Sequence, residues 1–573
     1  MSDNNSLSSQ EDMSDVDTLI KISQKIDGNG YGAARVLMGA YIYDDGTVIA
    51  IDRVPRDPLE PLPGRIRLFI PYGLLRYNKG VIIKDRFGKL ASKHFFTELC
   101  YRTLRYEGRP WLWMEPPGQA ILERTSVEIL KDGIELRLDF IPPYKGRRKI
   151  SGGRLRRLFS ETIPRIIREL TATEKKRSFL KLIRDTLEDQ EVLRRKLEEE
   201  GYIAFIANGA VLPRRGDTDF PMPNAVPFEA PKEYTTEFKL PNHGPIEGLC
   251  IRMNEISVFV GANFHGKTTI LEALAVAHYN HIPGDGREFV ISVDELPLIM
   301  VENRRVVRGV DISGFIRILP GGPDPSNFTT NNASGSTSQA ASLIEAFECG
   351  VAGVLIDEDS SAVNFILRDE YLKGIIPRDL EPITPLIDRL KDIKKRKIAV
   401  IFAVGALGEI LKVADCAYVV SKYRISEVLS NKKKSLQTSY GGYSERENEL
   451  AIKQRIPKPG SIPNGKVKLI SFDEVTITWH GKRITVNLRG SIRRTFKEKS
   501  QVRALAYAIT YASKYADGKH TLKEIVDAVI SDINEYGLSI INPYHDEMII
   551  NLSMFTRYQL FYALSRLPTL RIK

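Results

Sequence analysis

Apolar positions along the chain switch between a period of two and a period of about 3.6, and the switches mark out its elements. Residues 40–43 and 47–51 read as two strands around Asp44-Asp45-Gly46, which predicts a hairpin. A rigid turn around Asp57-Pro58 follows, then a strand over 65–71. In 174–200, Leu180, Ile183, Leu187, Leu193 and Leu197 line one face of a long amphipathic helix that Gly201 ends. Residues 202–231 are loop-rich, with prolines at 213, 221, 223, 227 and 231, and are expected to close a domain. Three short apolar runs then read as core strands: 256–260, 353–357 and 398–404. Residues 421–466 read as a linker, and 469–488 as a hairpin around His480-Gly481. Helical patterns occupy 501–515, 522–536 and 557–566.

Chemistry enters at the ends of the core runs. The strand 256–260 breaks into Gly261-Ala262-Asn263-Phe264-His265-Gly266-Lys267-Thr268, and a helical pattern begins at Thr269. This is the strand, G-x-x-x-x-G-K-[ST] loop and helix of a P-loop. Glycines let backbone N–H groups curl round an oxyanion, and the helix N-terminus adds a favourable dipole. Lys267 is expected on the β/γ-phosphates of ATP and Thr268 on Mg²⁺. The run 353–357 ends in Asp357-Glu358-Asp359. Acids at the carboxyl end of a core strand sit where an open α/β sheet binds its ligand. Asp357 is expected to hold Mg²⁺, and Glu358 to orient or deprotonate the attacking water. Between these segments, Ser334, Gly335, Ser336 and Thr337 open a helix. They read either as a second anion-binding N-terminus or as an N-cap alone. His278 and His281 lie three apart with no clear third ligand, which excludes a metal site there.

Composition changes the picture in two places. The chain has 573 residues, 42% hydrophobic and 27% charged, with a formal charge of +11. Residues 1–18 hold five acids and no Lys or Arg, so they read as a disordered tail and the remainder carries +16. A basic body suits a polyanionic partner. Tyr101, Tyr106, Trp111 and Trp113 interleave with arginines, which fits stacking on bases or cation–π packing. The most basic run holds Lys145, Arg147, Arg148, Lys149, Arg154, Arg156 and Arg157 among glycines. It reads as a phosphate-binding surface or as a solvated helix start. Four scattered cysteines and no apolar run of membrane-spanning length place the chain in the cytoplasm, with no membrane partner. The expected domains are a basic α+β domain over 19–230, an ATPase domain over 231–420, a basic linker over 421–465 and a C-terminal region over 466–573.

An Ala-Ser-Gly-Ser-Thr loop opening a helix, followed by a strand ending Asp-Glu, resembles the ATP-binding-cassette arrangement. More specifically, the chain resembles the family of ABC-class ATPases. The likeness runs through 53–61, 146–152, 207–215, 261–268, 281–288, 329–341, 356–369, 382–388, 413–415 and 557–570. The blocks NASGSTSQAA and DED-x-x-A-x-NF carry it most specifically. The resemblance implies an α/β P-loop NTPase core of ABC type, with an α+β N-terminal domain and a mixed, mainly helical C-terminal region. It also implies a head-to-tail homodimer, in which Ser334, Gly335 and Ser336 of one chain meet the γ-phosphate held at Lys267 of the other. Three departures stand out. No glutamine lies between 251 and 332, so the Q-loop residue is missing, with Glu302 or Asp311 as substitutes. Gly405 stands where a switch histidine is expected, and Ser336-Thr337 replace the commoner glycine and glutamine of the signature. An adenine-stacking aromatic is expected upstream of the P-loop, at Tyr234 or Phe238. Two functions follow: a dimeric Mg²⁺-dependent ATPase whose closure moves basic domains on a nucleic acid, RNA preferred, or an ATP-gated binding scaffold with negligible hydrolysis.

Overall fold

The computed structural model describes residues 13–60, 62–107, 110–319, 321–368, 375, 380–430, 450–544 and 548–573. The chain divides into two compact units, Met1–Leu187 with Tyr544–Met554, and Glu188–Pro543 with Phe555–Lys573. The division falls within the span of the helix Glu174–Glu199, before the proline-rich stretch rather than after it.

The first unit is built on a mainly antiparallel sheet. Its centre pairs Val48–Arg53 with Gly64–Pro71, and Gly64–Pro71 with Gly133–Phe140. Alternation sorts the two faces. Ile66, Leu68 and Ile70 lie opposite Leu138, Leu136 and Ile134, all buried, while Arg67 lies opposite Arg137 on the other face. There Arg67 is paired with Asp52 at 2.7 Å and Arg137 with Glu135 at 2.8 Å. The hairpin expected over 40–51 forms, with Gly39–Ile42 on Val48–Arg53. The acidic tail is shorter than its composition suggests. Ser14–Asp15 pairs with Tyr41 and Ile42, and Asp15 caps the helix Val16–Lys25 through the Asp17 N–H at 2.8 Å. Val16 and Leu19 supply the apolar burial that orders it; residues 1–12 lie outside the described residues.

The second unit holds the nucleotide-binding fold. Its main sheet runs in the order Gly353–Asp357, Ala399–Val404, Ile256–Val260, Cys416–Ser421, Arg424–Ser430. The first four strands are parallel and the last is antiparallel. Both faces of the parallel strands are covered, so they read as continuous apolar runs. Phe259 stacks on Tyr418 with centroids 4.9 Å apart, and Ile270, Leu271 and Leu274 pack into the same core. An antiparallel sheet of Thr235–Leu240, Gly244–Arg252, Tyr202–Ala207 and Val290–Ser292 lies beside it in the same unit.

Two stretches expected as loop are strands. Tyr202–Ala207 pairs on both sides, and Arg424–Ser430 completes the main sheet. Lys432, Lys433, Lys434, Gly441 and Gly442 lie outside the described residues. The C-terminal region has a three-stranded sheet, Lys466–Ile470, Glu474–Trp479 and Lys482–Asn487. The helices Lys499–Tyr511, Leu522–Tyr536 and Arg557–Ser565 follow, each opened by a capping box. Among the described residues, no helix is long and apolar enough to cross a membrane.

Candidate functional site

The strand Ile256–Val260 delivers Gly261 hard against its neighbour: a Cβ there would lie 2.3 Å from the Val420 carbonyl. Gly266 turns the chain into the helix Lys267–Leu274 with φ +98°, a left-handed conformation that glycine adopts without strain. Ala262, Asn263 and Phe264 are exposed at the lip of the loop, and His265, Thr268 and Thr269 are half-buried. Lys267 is buried and folds back over the loop. Its Nζ donates to the carbonyls of Gly261 at 2.7 Å and Ala262 at 2.9 Å. The ammonium thus sits inside the space that backbone N–H groups would offer an anion.

The acid strand comes up two places away in the sheet. Asp357 is buried and hydrogen-bonded to the Thr268 side chain. Burial pushes its carboxyl above the ordinary aspartate range, against the lowering effect of the Thr268 hydrogen bond and the Asp359 N–H. The hydroxyl of the P-loop and the carboxylate of the acid strand therefore converge, although 89 residues separate them in sequence.

Among the described residues, Glu358 is held by backbone groups. Its Oε2 accepts from the N–H groups of Gly405 at 2.6 Å, Ala406 at 3.0 Å and Leu407 at 3.3 Å. Strand order explains this. Ala399–Val404 lies between the P-loop strand and the acid strand, so the loop after it meets both. A Cβ on Gly405 would sit 3.0 Å from Asn263 Oδ1 and 3.6 Å from Lys267 Nζ. The backbone nest thus occupies the place where a switch histidine is expected. Sequence flagged Gly405 but not the three donors, which have no side-chain signature.

Ser334 begins the helix Gly335–Cys349, whose first turns are tied to the segment that follows the acids. Ser334 Oγ and Thr337 Oγ1 are 2.9 Å apart, and Ser336 Oγ donates to Asn364 Oδ1 at 3.1 Å. Gln339 ties the helix to the segment after the acids. Its Nε2 donates to Ser361 Oγ at 2.8 Å and its Oε1 accepts from Ala362 N at 3.0 Å.

A family model described as a P-loop domain of ABC ATPases matches residues 176–456. A second, for the N-terminal region of ATPases of the ABC class, matches 16–174. The chain belongs to the ABC-class ATPases. A third family model, described as the MRB1590 C-terminal domain, matches 495–573 of this ABC-class ATPase. The uncharacterized protein MJ1628 of Methanocaldococcus jannaschii is 33% identical over 218 residues. That match covers 36% of this chain and 47% of the relative, so the chain spans about half of that protein's length. Among solved structures, the ADP conformation of the ATP-binding cassette MJ1267 is 12% identical, with a TM-score of 0.25. It covers 40% of this chain and 91% of that one. The dimeric post-hydrolysis state of the cassette MJ0796, bound to ADP and Pi, is 11% identical over 35% of this chain and 97% of that one, at TM-score 0.21.

Several side chains proposed for this ABC-class ATPase from sequence are engaged elsewhere. Glu302 is buried against Arg566 at 2.7 Å and Tyr562 at 2.9 Å, and Asp311 pairs with Lys453 at 2.7 Å, so both carboxylates are already satisfied away from the P-loop. Phe238 is 3% exposed and packs edge-on against Phe205, which leaves no face for a base; Tyr234 packs on the apolar core. Tyr423, half exposed, lies beside the P-loop: its N–H donates to His265 O at 3.1 Å and its ring covers Gly266.

In the N-terminal unit, Arg147 and Arg148 form the tip of a tight hairpin with φ of 53° and 57°. Arg148 is ion-paired with Asp57. Arg154 lies over the Trp111 ring at 5.7 Å and donates to Tyr144 O at 3.1 Å. Arg147, Lys149 and Arg156 are exposed. A cleft of about 530 Å³ is lined by Trp111, Trp113 and several prolines.

Proposed function

We propose that this ABC-class ATPase binds and hydrolyses ATP at the P-loop, as a cytoplasmic homodimer whose closure is coupled to RNA. The convergence of Thr268 and Asp357 beside a nest-held Glu358 carries the reading. The donor set fits Mg²⁺: a hydroxyl and a buried carboxylate are hard oxygen ligands. When bound, the ion would neutralise charge on the phosphates. Residues Gly261, Ala262, Asn263, Phe264, His265 and Gly266 supply loop N–H groups, and Thr269 continues them into the helix. Lys267 exchanges the carbonyls of Gly261 and Ala262 for phosphate oxygens. Glu358, oriented through Oε2, presents Oε1 to the attacking water and takes its proton. Ser334, Gly335, Ser336 and Thr337 of a second chain close over the γ-phosphate; one P-loop per chain makes two chains the minimum.

RNA is the partner that the exposed Arg147, Lys149 and Arg156 suit, with Arg148 and Arg154 as partly engaged neighbours and an aromatic cleft in the same unit. The four cysteines are free thiols, in keeping with a reducing cytoplasm. A second reading, an ATP-gated scaffold with negligible hydrolysis, is favoured by one observation: the only described donors on Glu358 are backbone groups.

Glu358→Gln decides between them. The ATPase reading expects phosphate release to fall by at least about a hundredfold, with ATP retained on a dimer measurable by light scattering. Equal, near-zero release from parent and variant would leave the scaffold. For the RNA arm, neutralising Arg147, Lys149 and Arg156 is expected to weaken binding and flatten its salt dependence. RNA binding indifferent to salt and to these changes removes that part.

A further inference from the structure

Below the C-terminal end of the P-loop helix lies a second concave site that the nucleotide does not use. It encloses about 510 Å³, within the range of pockets that hold small molecules. Two segments build it, the loop from Arg214 to Asp219 and the stretch from Gly490 to Lys497 that holds the 3-10 helix Ser491–Thr495, with Glu272, Ala275 and Val276 forming one wall.

Its inner wall carries the buried Arg287 with the partly buried Arg214 and Lys497, against buried Asp285 and partly exposed Asp219. Arg214 pairs with Asp285 at 2.8 Å, and Lys497 with Asp219 at 2.7 Å. Arg287 is 4% exposed and, among the described residues, has no carboxylate partner; its guanidinium bonds only the Leu212 carbonyl. Asp285 is shared further, with His281 at 2.9 Å. Arg214 Nε is buried with no hydrogen-bond partner. Burial and the neighbouring Arg214 pull Arg287 down to about 10, and burial, with repulsion from Arg287 and Arg214, lowers Lys497. At the rim, Arg493 and Arg494 are half exposed and pair with Asp473 and Glu272. Asp285, Asp219 and Glu272 act on Arg287 through space only, so its guanidinium keeps donors for an anion. A planar donor fork among further cations matches phosphate oxygens.

We infer that this cavity is a second phosphate-binding site, separate from the P-loop, in which Arg287, Arg214 and Lys497 hold the anion and Arg493 and Arg494 guard the entrance. The ligand is a phosphate-bearing molecule of mononucleotide size or smaller, or the terminal phosphate of an oligonucleotide. Glu272 puts the site in contact with the P-loop helix, so occupancy can be felt at Lys267 without sharing its ligand. The inference stands whether or not the P-loop hydrolyses ATP.

The test is calorimetric titration of inorganic pyrophosphate into the full chain carrying Lys267→Ala, which disables the P-loop. Saturable binding of one pyrophosphate per chain is expected. Arg287→Gln in that background should weaken it by about tenfold, the loss of one charged hydrogen-bonding group. Because Arg287 is buried, the double change Arg493→Gln with Arg494→Gln serves as a second variant on half-exposed residues, and should weaken binding about threefold. Absence of saturable binding, or equal affinity in every variant that retains the parental melting temperature, overturns the proposal. Competition separates the two sources. Displacement of pyrophosphate by a 5′-phosphorylated RNA but not its 5′-hydroxyl twin assigns a chain end. Displacement by neither assigns a free phosphorylated small molecule.

Discussion

Arg566 joins the last helix to the helix that begins at Ser334, and removing it should destabilise the second unit measurably. Its guanidinium reaches Glu302 at 2.7 Å and Glu345 at 3.3 Å, with all three side chains at most 7% exposed. Around them Arg305 holds Glu345 at 2.8 Å and Arg455 holds Glu348 at 2.7 Å, so three guanidinium groups balance three carboxylates. Burial alone would push Glu345 up, but Arg305, Arg566 and Arg455 hold it below the ordinary glutamate range. Arg566→Met keeps most of the volume and strands a buried negative charge, a loss of about 3–5 kcal/mol. For a unit of about 375 residues, unfolding entropy near ~0.8 kcal/mol/K converts this to a melting shift of about 4–6 °C. Thermal and urea unfolding followed by circular dichroism measure it. Adding Glu302→Gln restores the charge balance and should recover more than half of the loss. A single-variant loss below about 1 kcal/mol, or a double variant no more stable than the single, would refute the charge argument.

Glu295 gives a pH test. Burial raises its carboxyl to about 7, although it accepts from the Tyr558 N–H at 2.9 Å. A raised carboxyl stabilises the fold fully below its unfolded pKa of about 4.5 and loses that contribution as pH climbs through about 7. Glu295→Gln should therefore match the parent near pH 5 and exceed it near pH 8 by ~1–3 kcal/mol in urea unfolding; the opposite order contradicts the sign. Gly261→Ala places a methyl 2.3 Å from the Val420 carbonyl, so the loop must shift. ATP affinity by fluorescence titration should fall by at least about tenfold while the melting temperature moves by a few degrees at most.

Periodicity made much of the fold legible. The strands Ile256–Val260, Gly353–Asp357 and Ala399–Val404 are apolar runs bounded by glycine, acids or lysine, and the three C-terminal helices show in their helical patterns. Tyr202–Ala207 escaped because a strand paired on both sides and buried on both faces shows no alternation, and polar turns follow it at once. Arg424–Ser430 escaped because its outward positions are charged, so its composition reads as linker. In the site, Gly266, Lys267, Thr268 and Asp357 announce themselves by residue type. Contacts between distant segments do not. Arg455 meets Glu348 across 107 residues and Arg566 meets Glu302 across 264, and no local pattern links them. The likeness between Glu302 and a missing Q-loop residue was one of position alone, and the Arg566 pair outweighs it.

On the proposed reading, the nest around Glu358 takes the orienting role that a histidine is expected to have. A group between the P-loop strand and the acid strand must orient the carboxylate, and its chemistry sets the conditions under which it works. An imidazole changes charge between about pH 5 and 8, so its hold varies across that range. The N–H groups of Gly405, Ala406 and Leu407 do not titrate, and all three converge on one oxygen. They also leave Gly405 without a side chain, and a Cβ at that point would lie 3.0 Å from the Asn263 Oδ1. On the proposed reading, glycine at 405 is therefore needed for the space, since any residue but proline supplies the N–H. Gly405→His, the change that would supply the missing residue, should not enhance turnover. It should push the loop off Glu358 and lower phosphate release by at least about tenfold at saturating ATP. Release equal to the parent's across pH 6 to 8 would mean that the nest does not position the acid.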